Sequence, residues 1–551
     1  PCPTHTDLGS PRFSLAEVMA TDNKYDRQLR LWGKGGQKCL AEANVLVLGA
    51  GPIATETMKN LVLPGIGRFT VVDAGLVTAT DLGNNFFVDP DFLGRPRAEA
   101  VAALLSEMNP DDCVGTSRVE DPAVLVASEP AFFHGFSLIL ATQLPEAPLE
   151  TLAQMCWDAD LPLVVVRSNG LLATLRLQLP DHEITESKPD IEFYDFRLMN
   201  PFPELEQHCS EYDLEAMPDQ DHAHTPYVVL LMHAVRRWRD EKDGAMPKTF
   251  AQKKEFKAML QNMARDLKEP ELNFAEAVAQ AHRAYAPVEL SEHMVACCTA
   301  ARERELTADS SDFRFLARAL VEFMDAEGQG LPPVTGTIPD MEADTSKYVR
   351  LQTLYANKAA QDVQAIATRV AHHLETLGRQ PDSISREMIE LFCRNAWNLR
   401  VLRTRSIAEE LAAPNIDADT IEDLSQVELH PQAGLFWYIA LRGADRFQRE
   451  QGRLPGLAGL DAATLEADAE SVWGHMQLVL QQAGVEDLEH LSKDYAREVT
   501  RYGGAELHNI AAVIGGMASQ EVIKVLTHQW VPANNTVVFN GIAGFCQTLE
   551  V

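Results

Sequence analysis

The chain has 551 residues, with 80 Asp or Glu against 48 Lys or Arg and a formal net charge of −32. That balance argues against a nucleic-acid backbone as partner and leaves a solvated acidic surface or a basic protein partner. The length predicts two or three domains, and 46% hydrophobic with 23% charged residues is an ordinary globular composition, with neither an apolar run that spans a bilayer nor a signal peptide.

Residues 1–23 carry three prolines and mixed polarity and read as a flexible tail; the chain opens on Pro1 rather than Met. Residues 25–43 have helical period, with Tyr25, Leu29 and Trp32 on one face and Arg27 and Arg30 on another. The β-rich run Val45–Leu48 then feeds into Gly49-Ala50-Gly51-Pro52-Ile53-Ala54, a helix-compatible segment, and a second β-rich run, Phe69–Val72, ending on Asp73. This is a βαβ unit in which the glycines let backbone approach a pyrophosphate at a helix N-terminus, and Asp73 stands where a ribose hydroxyl would sit. Gly49, Gly51 and Asp73 are therefore candidate nucleotide contacts; a turn that merely closes strand to helix is the other reading. Phe136–Leu140 and Leu163–Val166 are apolar throughout, as strands buried on both faces are. Strands alternating with helical segments predict an α/β, largely parallel sheet wrapped by helices.

Beyond about residue 200 strand-like runs nearly vanish. Lys253–Leu267, Phe313–Met324, Tyr348–Thr376 and Ser385–Asn395 have helical period and predict an all-helical insertion over 201–433. The sheet domain, begun over 24–200, resumes over 434–551. It continues with helix Phe436–Gln451, the small-residue helix Asn509–Thr527, where Gly515, Gly516 and Ala518 permit close backbone approach, and strand-like residues from Thr536 to Phe539 and Gly541.

Nine cysteines, an odd number without a CxxC pair, preclude a complete disulfide framework and the common zinc-ribbon spacing; a reducing compartment is expected, cytoplasm, nucleus or both. Cys297 and Cys298 have only His293 and Arg302 as nearby basic residues, thin support for an activated thiolate. Cys39, Cys113, Cys156, Cys209, Cys393 and Cys546 have no recognisable catalytic setting. His222 and His224 are spaced like metal ligands on a strand but lack a third ligand, so capping of the following helix is expected and no metal site is assigned.

Several segments together resemble the ubiquitin-like protein activating enzymes: KYDRQLRLWG (24–33), NLVLPGIG (60–67), NNFF (84–87), LATQLPE (140–146) and NIAAVIGGMASQEVIK (509–524). DHAHTPYVV (221–229), GTIPDMEADTSKYVRLQ (336–352) and LRGADRFQREQGRLPG (441–456) are similar, more narrowly, to the regulatory subunits of the neddylation activating enzyme, the amyloid precursor protein-binding protein 1 family. The resemblance implies a heterodimer with a homologous catalytic subunit that binds ATP and Mg²⁺, adenylates a neddylation-type ubiquitin-like modifier and captures it as a thioester. It implies a Rossmann-like pseudo-adenylation domain here, with an insertion that resembles a catalytic-cysteine domain without its nucleophile.

Departures from the competent pattern assign this chain the regulatory role. Where competent subunits carry a phosphate-contacting Arg this chain has Asn84, Gln143 matches their Mg²⁺-binding Asp, and Arg97 matches their Lys. Arg27, in the YDRQ segment, is by resemblance the residue that reaches the partner's ATP in trans, with Arg30 as the alternative; a surface arginine paired with Asp26 is the other reading. The chain is expected to be inactive alone, to support the partner's ATP site and to help select the modifier. Regulation of another modifier such as SUMO, a pure scaffold, and an NAD-dependent oxidoreductase are the alternatives.

Overall fold

The computed structural model describes residues 24–551 apart from 190–193, 268, 417–432, 460, 486–487 and 489. The expected tail, 1–23, lies outside the described residues. The chain forms two compact units, one running to His182 and resuming at Leu402, the other spanning Glu183–Val401.

The first unit is built on an eight-stranded sheet. Its strands are β1 (Asn44–Leu48), β2 (Arg68–Val72), β3 (Val114–Arg118), β4 (Leu138–Thr142), β5 (Leu163–Asn169) and β6 (Leu172–Gln178), and later β9 (Thr536–Asn540) and β10 (Phe545–Leu549). The short strands β7 (His182–Ile184) and β8 (Arg400–Leu402) mark the chain crossings. The sheet order is β10-β9-β6-β5-β4-β1-β2-β3. β5, β4, β1, β2 and β3 are parallel, and β6, β9 and β10 extend the sheet antiparallel.

Alternate residues of the central strands bury on opposite faces, as the two-residue period requires. Val45, Val47, Leu138, Leu140, Val164 and Val166 join a core with helices Pro52–Val62, Arg97–Glu107 and His508–Thr527. Leu46, Leu48, Ile139, Ala141, Leu163 and Val165 join one with helices Pro122–Ser128, Glu146–Asp158 and Ile407–Ala412. Helix His508–Thr527 is the one described helix long and apolar enough to cross a membrane, and its most apolar stretch is 67% buried. Gly515 explains its docking, since a Cβ there would lie 2.9 Å from Glu56 Cβ and 3.0 Å from Thr57 N on helix Pro52–Val62.

β3, β6, the short strands β7 and β8, and β10 have no counterpart among the strand-like runs read from the sequence. β3 (VGTSR) is a half-exposed edge strand with little apolar patterning, and β6 (LATLRLQ) follows the tight turn at Gly170. Helix Asp26–Glu42 forms as expected but breaks at Gly33, where φ is 67°. Helix Phe250–Gln261 stops short of the charged segment to Leu267.

The second unit is helical, and the 32-residue helix Thr345–Thr376 runs through both its cores. Leu351 and Tyr355 pack with Tyr227, Trp238 and Phe256, while Ile366, Val370 and Leu374 pack with Phe315, Phe323 and Phe392. The apolar faces of Phe313–Met324 and Tyr348–Tyr355 thus supply core.

The unit bounds differ from the expected 201 and 433. Thr404 exchanges two hydrogen bonds with Leu179, Ile407 enters the sheet core, and Glu410 pairs with Arg176 of β6. These residues carry no strand-like run, so sequence texture leaves them with the helices. Phe196 and Leu198 lie outside any helix yet bury in the helical unit's core.

Candidate functional site

The cradle lies at the carboxyl ends of β1, β2 and β4. Gly49 has φ of 96°, and a Cβ there would stand 2.5 Å from Thr142 Oγ1 and 3.0 Å from the Thr142 carbonyl oxygen. The neighbouring strand therefore requires this glycine whether or not a phosphate approaches. Gly51, with an ordinary φ of −75°, caps helix Pro52–Val62.

Asp73 is buried, and its carboxylate is fully engaged from within the chain. It accepts from Ala50 N (2.9 Å), Gly75 N (2.6 Å) and the Arg97 guanidinium (2.9 and 3.2 Å). The same guanidinium donates to Asp81 at 2.9 Å. Against burial, hydrogen bonds from Thr78 and Arg97 hold the Asp81 carboxyl below the usual range. Arg97 thus retains the charge the family pattern asks for but shares it between two carboxylates.

The substituted positions bond internally. Asn84 Nδ2 donates to the Glu506 carbonyl at 3.1 Å. The Gln143 amide locks onto β5, donating to Ser168 O at 2.9 Å and accepting from Ser168 N at 3.0 Å. Within the NNFF motif, Asn85 is buried and accepts from Thr55 Oγ1 (3.1 Å) and Phe87 N (3.2 Å), tying its loop to the helix start.

The sequence reading missed Glu506. A Cβ on Gly51 would lie 3.3 and 3.4 Å from its two carboxylate oxygens, so this side chain fills the space before the helix N-terminus. Burial pushes its carboxyl up to about 7, against the pull of Arg97 and Gln143. With that carboxylate in place, Asp73 committed and no guanidinium free, these residues do not fit a nucleoside triphosphate with Mg²⁺. The only sequence signal for Glu506 is its place after Gly503-Gly504 and just before an apolar helix.

Arg27 lies elsewhere, exposed on helix Asp26–Glu42. Among the described residues it has no hydrogen-bond or ion-pair partner; Arg30 takes Asp26, at 3.1 Å. The helix start is anchored beside it. Tyr25 donates to Asp112 at 2.6 Å and accepts from Asn109 at 3.0 Å, while Lys24 reaches Asp112 at 2.6 Å and Asn109 at 2.7 Å.

Cys297 and Cys298 are buried in the middle of helix Glu292–Glu303, where burial pushes both thiols up, Cys297 to about 12. Burial likewise raises Cys113, Cys156, Cys209 and Cys393 to about 12, and raises Cys39 and Cys546. No described cysteine has the lowered pKa of a nucleophile. The DHAH segment is a helical turn rather than a strand, and its histidines do not cap the following helix. His222 is a buried side chain whose Nδ1 meets Glu271 at 2.6 Å and whose ring stacks on Phe274, and His224 Nδ1 meets the Gln220 carbonyl. Among the described residues, no group of three or more His, Cys, Asp or Glu is placed to hold a metal ion.

The chain matches the ThiF family over residues 25–551. It is 40% identical to the NEDD8-activating enzyme E1 regulatory subunit of Xenopus laevis over 542 residues, 98% of this chain and 100% of the relative. The subunit of the same name from Gallus gallus is 39% identical over 539 residues, 96% of this chain and 98% of the relative. One from Arabidopsis thaliana is 38% identical over 541 residues, 96% of this chain and 99% of the relative. With its own cradle filled by its own side chains and its described thiols held protonated, the chain belongs to the ThiF family and, within it, to the NEDD8-activating enzyme E1 regulatory subunits.

Proposed function

We propose that this chain is the non-catalytic half of a heterodimer in which a homologous catalytic subunit binds ATP and Mg²⁺, adenylates the NEDD8-type modifier and captures it on its own cysteine. The sheet unit pairs with the partner's related domain, and Arg27 stabilises phosphate charge in the partner's site as a guanidinium delivered in trans. The helical unit, without a low-pKa thiol, helps enclose the modifier. The assembly works in the cytoplasm and nucleus.

The observation that carries this reading is the internal commitment of Asp73, Arg97, Gln143 and Glu506, beside an Arg27 that has no partner among the described residues. A guanidinium left unpaired in a chain so rich in carboxylates is available to an anion supplied from outside. The test is modifier-dependent ATP–pyrophosphate exchange by this chain, by a candidate catalytic subunit and by the mixture. Exchange by the mixture alone, reduced by Arg27→Ala with assembly intact, is the expected result. Exchange by this chain alone overturns the reading, and unchanged exchange by Arg27→Ala leaves a scaffold without the trans arginine.

A further inference from the structure

The space before the N-terminus of helix Pro52–Val62 is where a ThiF-type cradle would receive a phosphate, because unpaired backbone N–H groups and the helix dipole favour negative charge there. In this chain a carboxyl side chain already occupies that space. Glu506 is placed by two backbone contacts, its carbonyl accepting from Asn84 Nδ2 at 3.1 Å and its strand-like bridge to Gly170, beside which Gly170 N donates to Ala505 O at 2.7 Å. Its side chain turns toward Gly51, with both oxygens within 3.4 Å of the position a Cβ would take there. Gln143 meets its carboxyl, yet its Oε2 is buried and has no hydrogen-bond partner. An unmet carboxylate oxygen against a helix N-terminus is a poor way to fill a core but a natural remnant of a site shaped around something polar.

The geometry points to Glu506 as an intramolecular stand-in for phosphate: its carboxylate holds the anion seat of the cradle and thereby silences it. The loss of clamp residues at Asn84 and Gln143 is then only part of why the site is silent. The inference rests on the reading of this chain's own cradle as inactive, and it deepens that reading by naming the group that keeps anions out. The charged groups that face Glu506 are Arg97 from helix Arg97–Glu107, Asp73 from the end of β2 and Asp81 from helix Ala79–Asn84. His508, on the helix that Glu506 precedes, meets the Asn84 carbonyl at 3.3 Å. Of these groups only Arg97, already shared between Asp73 and Asp81, carries the charge that attracts a phosphate. A charged Glu506 adds a third carboxylate against it, and a neutral or absent one leaves the helix N-terminus and Arg97 facing open space.

The experiment is equilibrium binding of inorganic pyrophosphate to the full chain by isothermal titration calorimetry, at pH 8 and pH 6. Wild type is compared with Glu506→Gln, which keeps the shape and removes the charge, and Glu506→Ala, which opens the space. At pH 8 both variants are expected to bind pyrophosphate about tenfold or more tightly than wild type, the effect of removing a close like charge. Wild type at pH 6 is expected to approach Glu506→Gln, and adding Arg97→Met to Glu506→Gln is expected to abolish the gain. Circular dichroism and thermal melting establish that each variant is folded. Wild type binding as tightly as folded Glu506→Gln at pH 8, or no gain in either folded variant, overturns the inference. Because heterodimer activity is not the readout, failure here is separate from failure of the split-enzyme reading.

Discussion

Gly49→Ala and Gly51→Ala separate two explanations of the glycine-rich turn, because the structure assigns them very different costs. At Gly49 an alanine meets a positive φ of 96° and the Thr142 hydroxyl at 2.5 Å. The backbone conformation alone costs about 1–2 kcal/mol for a residue with a Cβ. Thr142 cannot simply swing aside, because its hydroxyl donates to the Leu48 carbonyl at 3.0 Å inside the core. Breaking that bond adds about 1–3 kcal/mol, so the expected loss is about 3 kcal/mol. At Gly51, φ is −75° and the nearest contact is the far end of the Glu506 side chain. An alanine there is unstrained and reduces the freedom of the unfolded chain, an effect of about 0.4–1 kcal/mol in its favour, so the net change stays within about 1 kcal/mol of zero. Two-state analysis does not apply to a chain with two units. Hydrogen exchange of the β1 and β4 amides, with thermal melting beside it, reads the effect where it arises. Gly51→Ala destabilising the sheet as much as Gly49→Ala, or Gly49→Ala proving neutral, would refute the argument that packing rather than a ligand holds the first glycine.

Glu506→Gln should alter the pH dependence of stability. The folded carboxyl titrates at about 7 against 4.5 ordinarily, so the folded state binds more protons between those values and stability falls as pH rises through that window. The variant is expected to match wild type near pH 4.5 and to exceed it at pH 8 by at most about 3 kcal/mol; protection of the helix Pro52–Val62 amides against hydrogen exchange, corrected for intrinsic rates, that stays parallel in the two proteins from pH 5 to 8 would contradict this. Tyr25→Phe removes the hydroxyl that joins Asp112 to Asn109 beside Arg27 and should weaken the docking of the helix start by about 1–2 kcal/mol. Exchange by the heterodimer should fall, by less than in Arg27→Ala, with assembly unchanged; an unaffected rate would show that this anchor does not position the arginine. Cys297→Ser and Cys298→Ser should leave thioester formation by the heterodimer intact, since both thiols are buried and protonated near neutral pH. Loss of the thioester with the fold preserved would place a nucleophile here after all.

Much of the fold was legible because the central strands carry unbroken apolar runs, as Val45–Leu48 and Leu163–Val166 do, and because burial on both faces demands such runs. β3 was not legible for the converse reason: an edge strand half in water needs no apolar alternation, and VGTSR has none. β6 hides a charge that sequence cannot excuse, since Arg176 is buried only because Glu410, far along the chain, pairs with it. The same long-range dependence hides the helical unit's boundary at 401, where Thr404 and Ile407 belong to the sheet through individual contacts rather than through a pattern. In the candidate site, the substitutions at Asn84 and Gln143 were readable as missing chemistry. Their present bonds, to Glu506 and Ser168, were not, because a side chain's new partner is set by the fold and leaves no mark at fixed spacing.

That difference bears on what the polar groups of the cradle do in this chain. A cradle evolved around phosphate exposes donors and acceptors that a ligand would otherwise meet, and burying them unmet costs about 1–3 kcal/mol each. Here the backbone N–H groups of Ala50 and Gly75 go to Asp73, the Arg97 charge is divided between Asp73 and Asp81, and the helix start is fixed by Asn85. Each of these groups holds two segments of the same unit together. An arginine placed at position 84 would leave Asp73 committed and Glu506 in place, so that change alone would not rebuild the clamp. The glycines and carboxylates of the cradle thus serve the sheet unit's own packing: Thr142 requires Gly49, and Asp73 joins Ala50, Gly75 and Arg97.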